Sequence, residues 1–265
     1  MGQAPAPSAA EGPLRVERDG DVAIVHIMRA HKRNALNDET VLALESLARD
    51  LPADIRAIVL AGDGDHFCAG LDLAELRERD VAEGMMHSRM WHRAFEAIEF
   101  GRVPVVAVLK GAVIGGGLEL AAAAHIRVAE PSAFYALPEG QRGIYVGGGA
   151  SVRLPRLIGV ARMRDMMMTG RTYDAEGGQA IGLTQYLVEP GEGLGKAIEL
   201  ARKAAGNAPL TNWALIHALP RIAESDPAAG YLTESLMAAI AQGDSEAKRR
   251  LADFLEKRAT KVTAG

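Results

Sequence analysis

The sequence predicts an α/β fold, in which parallel strands are joined by helices and followed by a helical C-terminal region. Short runs rich in β-branched residues, such as "IRAIVLAG" and "VPVVAVL", alternate with longer segments whose apolar residues recur at helical spacing. Strands that alternate with helices favour parallel pairing through crossover connections. From about Gly193 to Thr263 the pattern contains three helical stretches and no convincing strand.

The composition is that of a globular protein that needs no disulfide bond for its stability. The chain has 265 residues, of which 48% are apolar and 24% are charged, so it can bury a large core. A single cysteine, Cys68, excludes an internal disulfide, and the seven histidines show no zinc-binding spacing. The formal charge of −4 argues against bulk nucleic-acid binding. We expect no metal ion and no nucleic-acid partner.

The chain divides by composition into three parts. Residues 1–12 are rich in Ala and Pro and lack the basic and apolar regions of a signal peptide, so we expect a disordered lead-in. The longest apolar segment, Val103 to Ala124, is interrupted by Lys110 and Glu119 and does not suit a membrane span. We therefore predict a cytoplasmic protein with an α/β core over residues 13–192 and a helical region over residues 193–265.

The first elements follow from local signals. "LRVERDGDVAIVHIMR" predicts two strands around a turn at Asp19-Gly20-Asp21. Asn37 is a suitable N-cap for the helical pattern "DETVLALESLARDL", and a second helical pattern runs from Asp80 to Phe100. These patterns predict a hairpin and two helices around the buried strand "IRAIVLAG".

The middle of the chain predicts a strand, a glycine triplet and an Ala-rich helix. The strand is "VPVVAVL", and the helix is expected to begin at about Leu118. "IRVAE" and "AFYALPE" are typical of further strands. After Gly147 the pattern is helical except for one strand-like piece, "GLTQYLVEP".

The segment "VLKGAVIGGGLELAAAA" carries the strongest functional signal. Glycines allow a backbone to approach a ligand closely, and a helix N-terminus presents unpaired N–H groups. The segment lacks the Lys-Ser or Lys-Thr of a phosphate-binding loop and the GxGxxG spacing of a dinucleotide site. "DGDHFCAGLDLAEL" lacks the glutamate of a calcium loop. Two interpretations remain: a backbone N–H that stabilises a developing oxyanion, or a close helix–strand crossing.

Three longer motifs favour the first interpretation. They are "RAIVLAGDGDHFCAGLDLAEL", "VPVVAVLKGAVIGGGLELAAAAHIRVAEPSAFYALPE" and "GVARMRDMMMTGRTYDAEGGQAIGL". Through them the chain, from about Val22 to Arg258, resembles the enoyl-CoA hydratase/isomerase family, or crotonase superfamily. The resemblance implies a superhelical core of ββα units and a C-terminal helical region that mediates trimerisation, with homotrimers or dimers of trimers. It also implies an acyl-CoA substrate and no separate cofactor.

The same resemblance implies the catalytic residues. "FCAGLDL" and "GGGLEL" are similar to the two oxyanion loops of the family, which assigns the donor N–H groups to Leu71 and Gly116. Glu119 and Glu139 match the two glutamates of the hydratases. Isomerases typically keep one of these acids or replace it, so the pair favours hydration, while an isomerase stays open. We assign Glu119 as base and Glu139 as proton donor, a division that the sequence does not settle.

Two further motifs resemble coenzyme A contacts of the family. "HKRNALN" is similar to the early CoA-contact segment, and "FLEKR" to the segment that closes over CoA in a neighbouring subunit. The resemblance, together with the first oxyanion loop, assigns CoA binding to six residues: Lys32, Arg33, Ala35, Ala69, Phe254 and Lys257.

The stretch "PEGQRGIYVGGGASVRL" departs from the family pattern. Polar residues and glycine replace apolar residues after the acid, and Val146 and Val152 stand where proline and glutamine are common. The acyl group therefore stays open between a plain enoyl chain and a polar, branched or sulfur-containing one such as methylthioacryloyl-CoA. Candidates for the acyl pocket are Met90, Trp91 and Tyr145. A non-catalytic, RNA-binding relative would need a lysine cluster, which the sequence lacks.

Overall fold

A computed structural model describes residues 12–75 and 79–256, and its strands form two sheets. The strands are β1 (Leu14–Asp19), β2 (Val22–Ile27), β3 (Ala57–Gly62), β4 (Val105–Leu109), β5 (Ala112–Ile114), β6 (Ile126–Ala129), β7 (Phe134–Ala136), β8 (Tyr173–Asp174) and β9 (Tyr186–Leu187). The larger sheet has the order β1-β2-β3-β4-β6-β9, and the smaller has the order β5-β7-β8.

The pairing of the larger sheet is parallel except at its first edge. β1 and β2 form the predicted antiparallel hairpin, and the pairs from β2 through β3, β4 and β6 to β9 are parallel. This confirms the parallel pairing predicted from the alternation of strands and helices. Two short strands, β5 and β8, were not predicted, and "GLTQYLVEP" forms a strand over only two residues.

Helices occupy most of the rest of the described chain. They are α1 (Asp38–Arg49), α2 (Val81–Glu99), α3 (Gly116–Ala123), α4 (Ala150–Ile158), α5 (Val160–Thr169), α6 (Ala175–Ile181), α7 (Gly193–Ala205), α8 (Pro209–Trp213), α9 (Leu219–Glu224), α10 (Pro227–Gly243) and α11 (Ser245–Leu255). A π-helical turn, Ala214–Ala218, joins α8 to α9.

Helices α1 and α2 begin directly after a capping residue, whereas α3 begins earlier than predicted. The side chain of Asn37 accepts a hydrogen bond from the backbone of Thr40, as predicted for an N-cap. Asp80 and Glu83 form a capping box at the start of α2. Helix α3 begins at Gly116, two residues before the predicted start, because its first turn is set by contacts with another loop rather than by helix propensity.

The larger sheet is buried on both faces, as parallel sheets usually are. Alternate residues of β2 contribute to two separate core clusters, one packed on α1 and α2 and the other on α7. Helix α7 therefore covers the second face of the sheet, although it follows the predicted domain boundary after residue 192. The division into a lead-in, a core and a helical region stays a prediction.

The region after α7 is helical, with more helices than predicted. Residues 193–256 contain five α-helices instead of three helical stretches. Four large apolar side chains of α10 are exposed on this chain: Tyr231, Leu232, Leu236 and Ile240. None of the helices within residues 12–75 and 79–256 combines the length and the apolar composition that a membrane-spanning helix requires.

Candidate active site

Two loops meet at the start of α3 and form one wall of a cavity. The backbone N–H of Cys68 donates to the carbonyl of Ala112 at 2.9 Å, and that of Ile114 donates to the carbonyl of Cys68 at 3.1 Å. A Cβ atom at Gly117 would lie 2.2 Å from the Cys68 carbonyl oxygen, so this contact requires glycine. Burial raises the pKa of the Cys68 thiol to about 12, which removes it as a nucleophile.

This contact places two backbone N–H groups side by side. Gly116 is the first residue of α3, so its N–H has no acceptor within the helix. A Cβ atom at Gly116 would lie 3.5 Å from the backbone nitrogen of Leu71, and one at Gly70 would lie 3.4 Å from that of Gly116. Leu71 and Gly116 both line a cavity of about 350 Å³. The two predicted oxyanion donors are therefore neighbours in space.

Glu119 lies one turn into α3 and is buried, with 3% of its surface exposed. Its Oε1 atom accepts hydrogen bonds from the backbone nitrogens of Gly148, at 2.8 Å, and Ala150, at 3.0 Å. Burial raises the pKa of the Glu119 carboxyl, and these two donors oppose the shift. One carboxylate oxygen is thus fixed, and the side chain lines the cavity.

A buried arginine that no sequence motif indicated, Arg153, supports this arrangement. Nη1 of Arg153 donates to the Gly148 carbonyl at 2.8 Å, and its Nε donates to Glu99 Oε2 at 2.6 Å. The Arg153 charge lowers the pKa of Glu119, although less than burial raises it. Arg153 occupies the buried face of α4 together with Leu154 and Ile158. In the sequence, Arg153 could have been recognised as a charged residue among the apolar positions of one helix face.

Glu139 follows β7 and faces the same cavity. It is 9% exposed, and in the part of the chain that the structure describes its Oε2 atom is buried without a hydrogen-bond partner. A Cβ atom at Gly115 would lie 2.5 Å from its Oε1 atom, which places Glu139 beside the turn before α3. Burial, with a smaller contribution from the Glu119 charge, raises the pKa of Glu139 to about 7.

The three acyl-pocket candidates occupy different places. Trp91 is buried in the cavity wall, and a Cβ atom at Gly116 would lie 2.7 Å from its indole ring. Tyr145 lines the cavity and is 70% exposed. Met90 packs against the hydrophobic core instead of lining the cavity, because neighbouring positions on a helix point in different directions.

The predicted CoA-contact segment lies beside the first oxyanion loop. The N–H of Ala69 donates to the Arg33 carbonyl at 2.9 Å, and that of Leu36 donates to the Gly70 carbonyl at 2.7 Å. Arg33 is exposed, whereas Ala35 is buried. The structure therefore brings three of the CoA candidates, Arg33, Ala35 and Ala69, close to the Leu71 donor.

Lys32, the fourth candidate in this area, is held by an ion pair. Its Nζ atom lies 2.8 Å from Asp72 Oδ2, and Arg29 Nη2 lies 2.7 Å from the same atom. Asp72 also accepts from the backbone of Ala74, so it braces the loop after Leu71. These partners, Lys32 first, hold the pKa of the Asp72 carboxyl well below its usual range.

The remaining two candidates are far along the chain. Phe254 lies on α11 and is 65% exposed. Lys257 lies outside the described residues. Within residues 12–75 and 79–256, no group of three or more His, Cys, Asp or Glu side chains could hold a metal ion.

Comparison with known families decides the membership of the chain. The family described as enoyl-CoA hydratase/isomerase matches residues 17–264. The chain belongs to this family. The short-chain-enoyl-CoA hydratase of Clostridium acetobutylicum is 31% identical over 246 residues, with 92% of this chain and 94% of the relative covered. Enoyl-CoA hydratase EchA19 of Mycobacterium tuberculosis is 34% identical, with 77% of this chain and 79% of the relative covered.

Solved structures agree with the family assignment. A crystal structure from Rhodopseudomonas palustris, of a protein provisionally named an enoyl-CoA hydratase, is 60% identical and has a TM-score of 0.91. The match covers 94% of this chain and 97% of that structure. The predicted α/β fold of the crotonase type is therefore confirmed.

Proposed function

We propose that this family member is an enoyl-CoA hydratase, which adds water across the α,β double bond of an acyl-CoA thioester. The observation that carries the proposal is the shared cavity of Glu119, Glu139 and the backbone donors of Leu71 and Gly116. Two carboxylates can activate a water molecule and supply a proton, while the two N–H groups receive negative charge. The CoA moiety is part of the substrate, and we propose that no separate cofactor or metal takes part.

In this proposal the thioester oxygen binds between the N–H groups of Leu71 and Gly116. Negative charge moves onto that oxygen when water attacks the β-carbon, and both donors then strengthen their hydrogen bonds. The positive end of the α3 dipole lies behind Gly116 and acts in the same direction. Loss of one such donor typically lowers kcat by about 10²–10³.

The two glutamates have different environments, which supports different roles. Burial raises the pKa of Glu119, but two backbone N–H groups and Arg153 oppose this shift and stabilise the ionised form, so we assign Glu119 to orient and deprotonate the water. Glu139 has a pKa raised to about 7, so a large fraction holds a proton at neutral pH. We assign Glu139 as the donor to the α-carbon.

The first test is an assay with crotonyl-CoA. Hydration removes the conjugated enoyl-thioester absorbance and forms a 3-hydroxyacyl-CoA, which mass spectrometry identifies by the added water. An isomerase would instead convert a 3-enoyl-CoA into the conjugated 2-enoyl-CoA without a change in mass. Isomerisation without hydration, for either crotonyl-CoA or longer enoyl chains, would overturn the proposal.

We also propose that the protein forms homotrimers or dimers of trimers and acts in the cytoplasm. The exposed apolar side chains of α10 and of Phe254 on α11 support an assembly in which the C-terminal helices are covered. Phe254 and Lys257 would then contact CoA in a neighbouring subunit. Sedimentation equilibrium that gives a monomer at micromolar concentration would contradict the assembly.

The pKa of Glu139 leads to a pH prediction. Because the proton donor must be protonated, kcat/KM for hydration is expected to fall about tenfold per pH unit above pH 7, where Glu139 loses its proton. Below pH 7 this group no longer limits the rate. Initial rates between pH 6 and 9, with thermal melting at each pH to verify folding, measure the profile. A flat profile across this range would exclude Glu139 as the donor.

Arg153 is expected to act as a positioning residue. Arg153→Met should lower kcat by about 10–10², because the Gly148 carbonyl loses its donor and the loop that holds Glu119 shifts. Removal of the positive charge should also raise the pKa of Glu119, so the acid limb of the pH profile should move upward. The matched control is Arg156→Met on the same helix α4, which breaks a surface ion pair with Glu224 at the end of α9. Equal kinetics of both variants would contradict this role.

A further inference from the structure

Helix α2 forms one wall of the cavity, and this wall is aromatic at Trp91 and polar at Ser88 and His87. Gly84, His87, Ser88 and Trp91 all line the cavity, at the i, i+3, i+4, i+7 spacing of one helix face. Trp91 lies beside Gly116, at the proposed oxyanion hole. At a rise of 1.5 Å per residue, His87 lies about 6 Å farther along the helix axis. An acyl chain that runs along α2 therefore passes the indole first and then meets an imidazole.

The imidazole is held in a defined orientation. Nε2 of His87 lies 2.7 Å from Oδ1 of Asp38 in the first turn of α1, and the side chain of His87 is 18% exposed. The ring is also tilted against that of Trp91, with 6.1 Å between centroids. Within residues 12–75 and 79–256, Nδ1 of His87 has no hydrogen-bond partner. Because Nε2–H donates to the Asp38 carboxylate, Nδ1 can donate to an anionic ligand when the ring is an imidazolium, and the Asp38 carboxylate stabilises that form.

A guanidinium group lines the same cavity. Arg79 immediately precedes the N-cap of α2 and contributes to the cavity wall together with His87. Among the ion pairs of the described residues, none involves Arg79. Guanidinium groups bind carboxylates with two parallel hydrogen bonds, which gives Arg its preference for planar anions. A plain hydrocarbon tail offers neither Arg79 nor His87 a hydrogen-bond partner, whereas a terminal carboxylate offers one to both.

We propose that the acyl chain of the substrate ends in a carboxylate, which Arg79 and His87 bind at the far end of the cavity. This inference rests on the function proposed above and names its substrate class, the CoA thioesters of unsaturated dicarboxylic acids. A six-carbon acyl chain spans about 6 Å from its thioester carbon to its last carbon, which equals the offset between Trp91 and His87. The terminal carboxylate then lies away from Glu119 and Glu139, which surround the reacting carbons.

Saturated ligands test this inference independently of catalysis. Adipoyl-CoA and hexanoyl-CoA have six-carbon acyl chains that differ in the terminal carboxylate, and neither can take up water. Isothermal titration calorimetry on the full chain should give at least tenfold tighter binding of adipoyl-CoA. Arg79→Met and His87→Phe should each remove most of that preference, and Arg79→Lys should restore part of it. Arg89→Met, an exposed arginine on the same helix, is the matched control and should keep the preference.

Three results would overturn the inference. They are equal or tighter binding of hexanoyl-CoA, tighter binding of 6-hydroxyhexanoyl-CoA than of adipoyl-CoA, and a preference for adipoyl-CoA that both variants retain. Failure of the hydratase proposal would be recognised separately, because the wild-type protein would then convert neither 2-hexenedioyl-CoA nor 2-hexenoyl-CoA to a hydrated product. A preference for adipoyl-CoA that the variants lose would still support the carboxylate site in that case.

Discussion

Replacement of Glu119 or Glu139 by Gln is expected to lower kcat for hydration by about 10²–10⁴, the range typical of a lost general acid or base. In Glu119→Gln the side-chain oxygen can still accept from Gly148 and Ala150, so the loop keeps its position. The amide cannot take a proton from water, however. In Glu139→Gln the side chain keeps its shape but cannot donate a carboxylic acid proton to the α-carbon.

Ligand affinity and the effect of the double variant should distinguish the two glutamine variants from proteins that lose activity through misfolding. Both should bind a saturated acyl-CoA with the wild-type affinity, because neither glutamate contacts the CoA moiety in the proposed arrangement. Since both residues act on one water and one double bond, the double variant should lose little more than the worse single variant. Single-turnover rates and thermal melting measure these properties. A variant that is fully folded and retains more than a tenth of the wild-type kcat would remove that glutamate from the mechanism.

The positions that the sequence predicts well are those where a local motif has one structural solution. Asn37 caps α1 as predicted, because its short polar side chain can accept from the following turn, and the helical pattern predicted from Asp80 forms α2. The glycine triplet indicates a close approach of two backbones, because only glycine allows the contact of Gly117 with Cys68, although α3 begins two residues before the predicted start. The parallel sheet follows from the alternation of elements. These features depend on residues that are neighbours in the sequence, or on backbone constraints that side chains cannot change.

The positions that the sequence does not predict depend on distant contacts. Strand β5 has three residues and pairs with β7, and β8 has two residues. Neither is long enough to show the alternation of side chains by which a strand is recognised in a sequence. Arg153 supports Glu119 through Gly148, and His87 is oriented by Asp38, 49 residues earlier. Each of these side chains is an ordinary charged or polar residue in sequence. Their importance arises only where the fold places them, beside the cavity that the motifs identify.

The contact between Gly117 and Cys68 should be the most sensitive point of the oxyanion hole. A Cβ atom at Gly117 would lie 2.2 Å from the Cys68 carbonyl oxygen and 2.9 Å from its carbonyl carbon, and backbone atoms have little freedom to move away. Gly117→Ala must therefore separate the loop of Leu71 from the start of α3. We expect kcat to fall by about 10²–10³ through loss of a donor. We also expect the free energy of unfolding to fall by about 1–3 kcal/mol through overpacking.

The matched control is Gly195→Ala in α7, where an added Cβ atom meets nothing within 4 Å. This substitution should raise the free energy of unfolding by about 0.5–1 kcal/mol, because alanine favours a helix interior, and should leave kcat unchanged. Urea unfolding and hydration rates, measured well below the melting temperature of both variants, give the two quantities separately. If Gly117→Ala unfolds at the wild-type urea concentration and hydrates at the wild-type rate, the two loops do not meet at this glycine. The adjacent N–H groups of Leu71 and Gly116 could then not account for the catalysis, because their spacing depends on that contact.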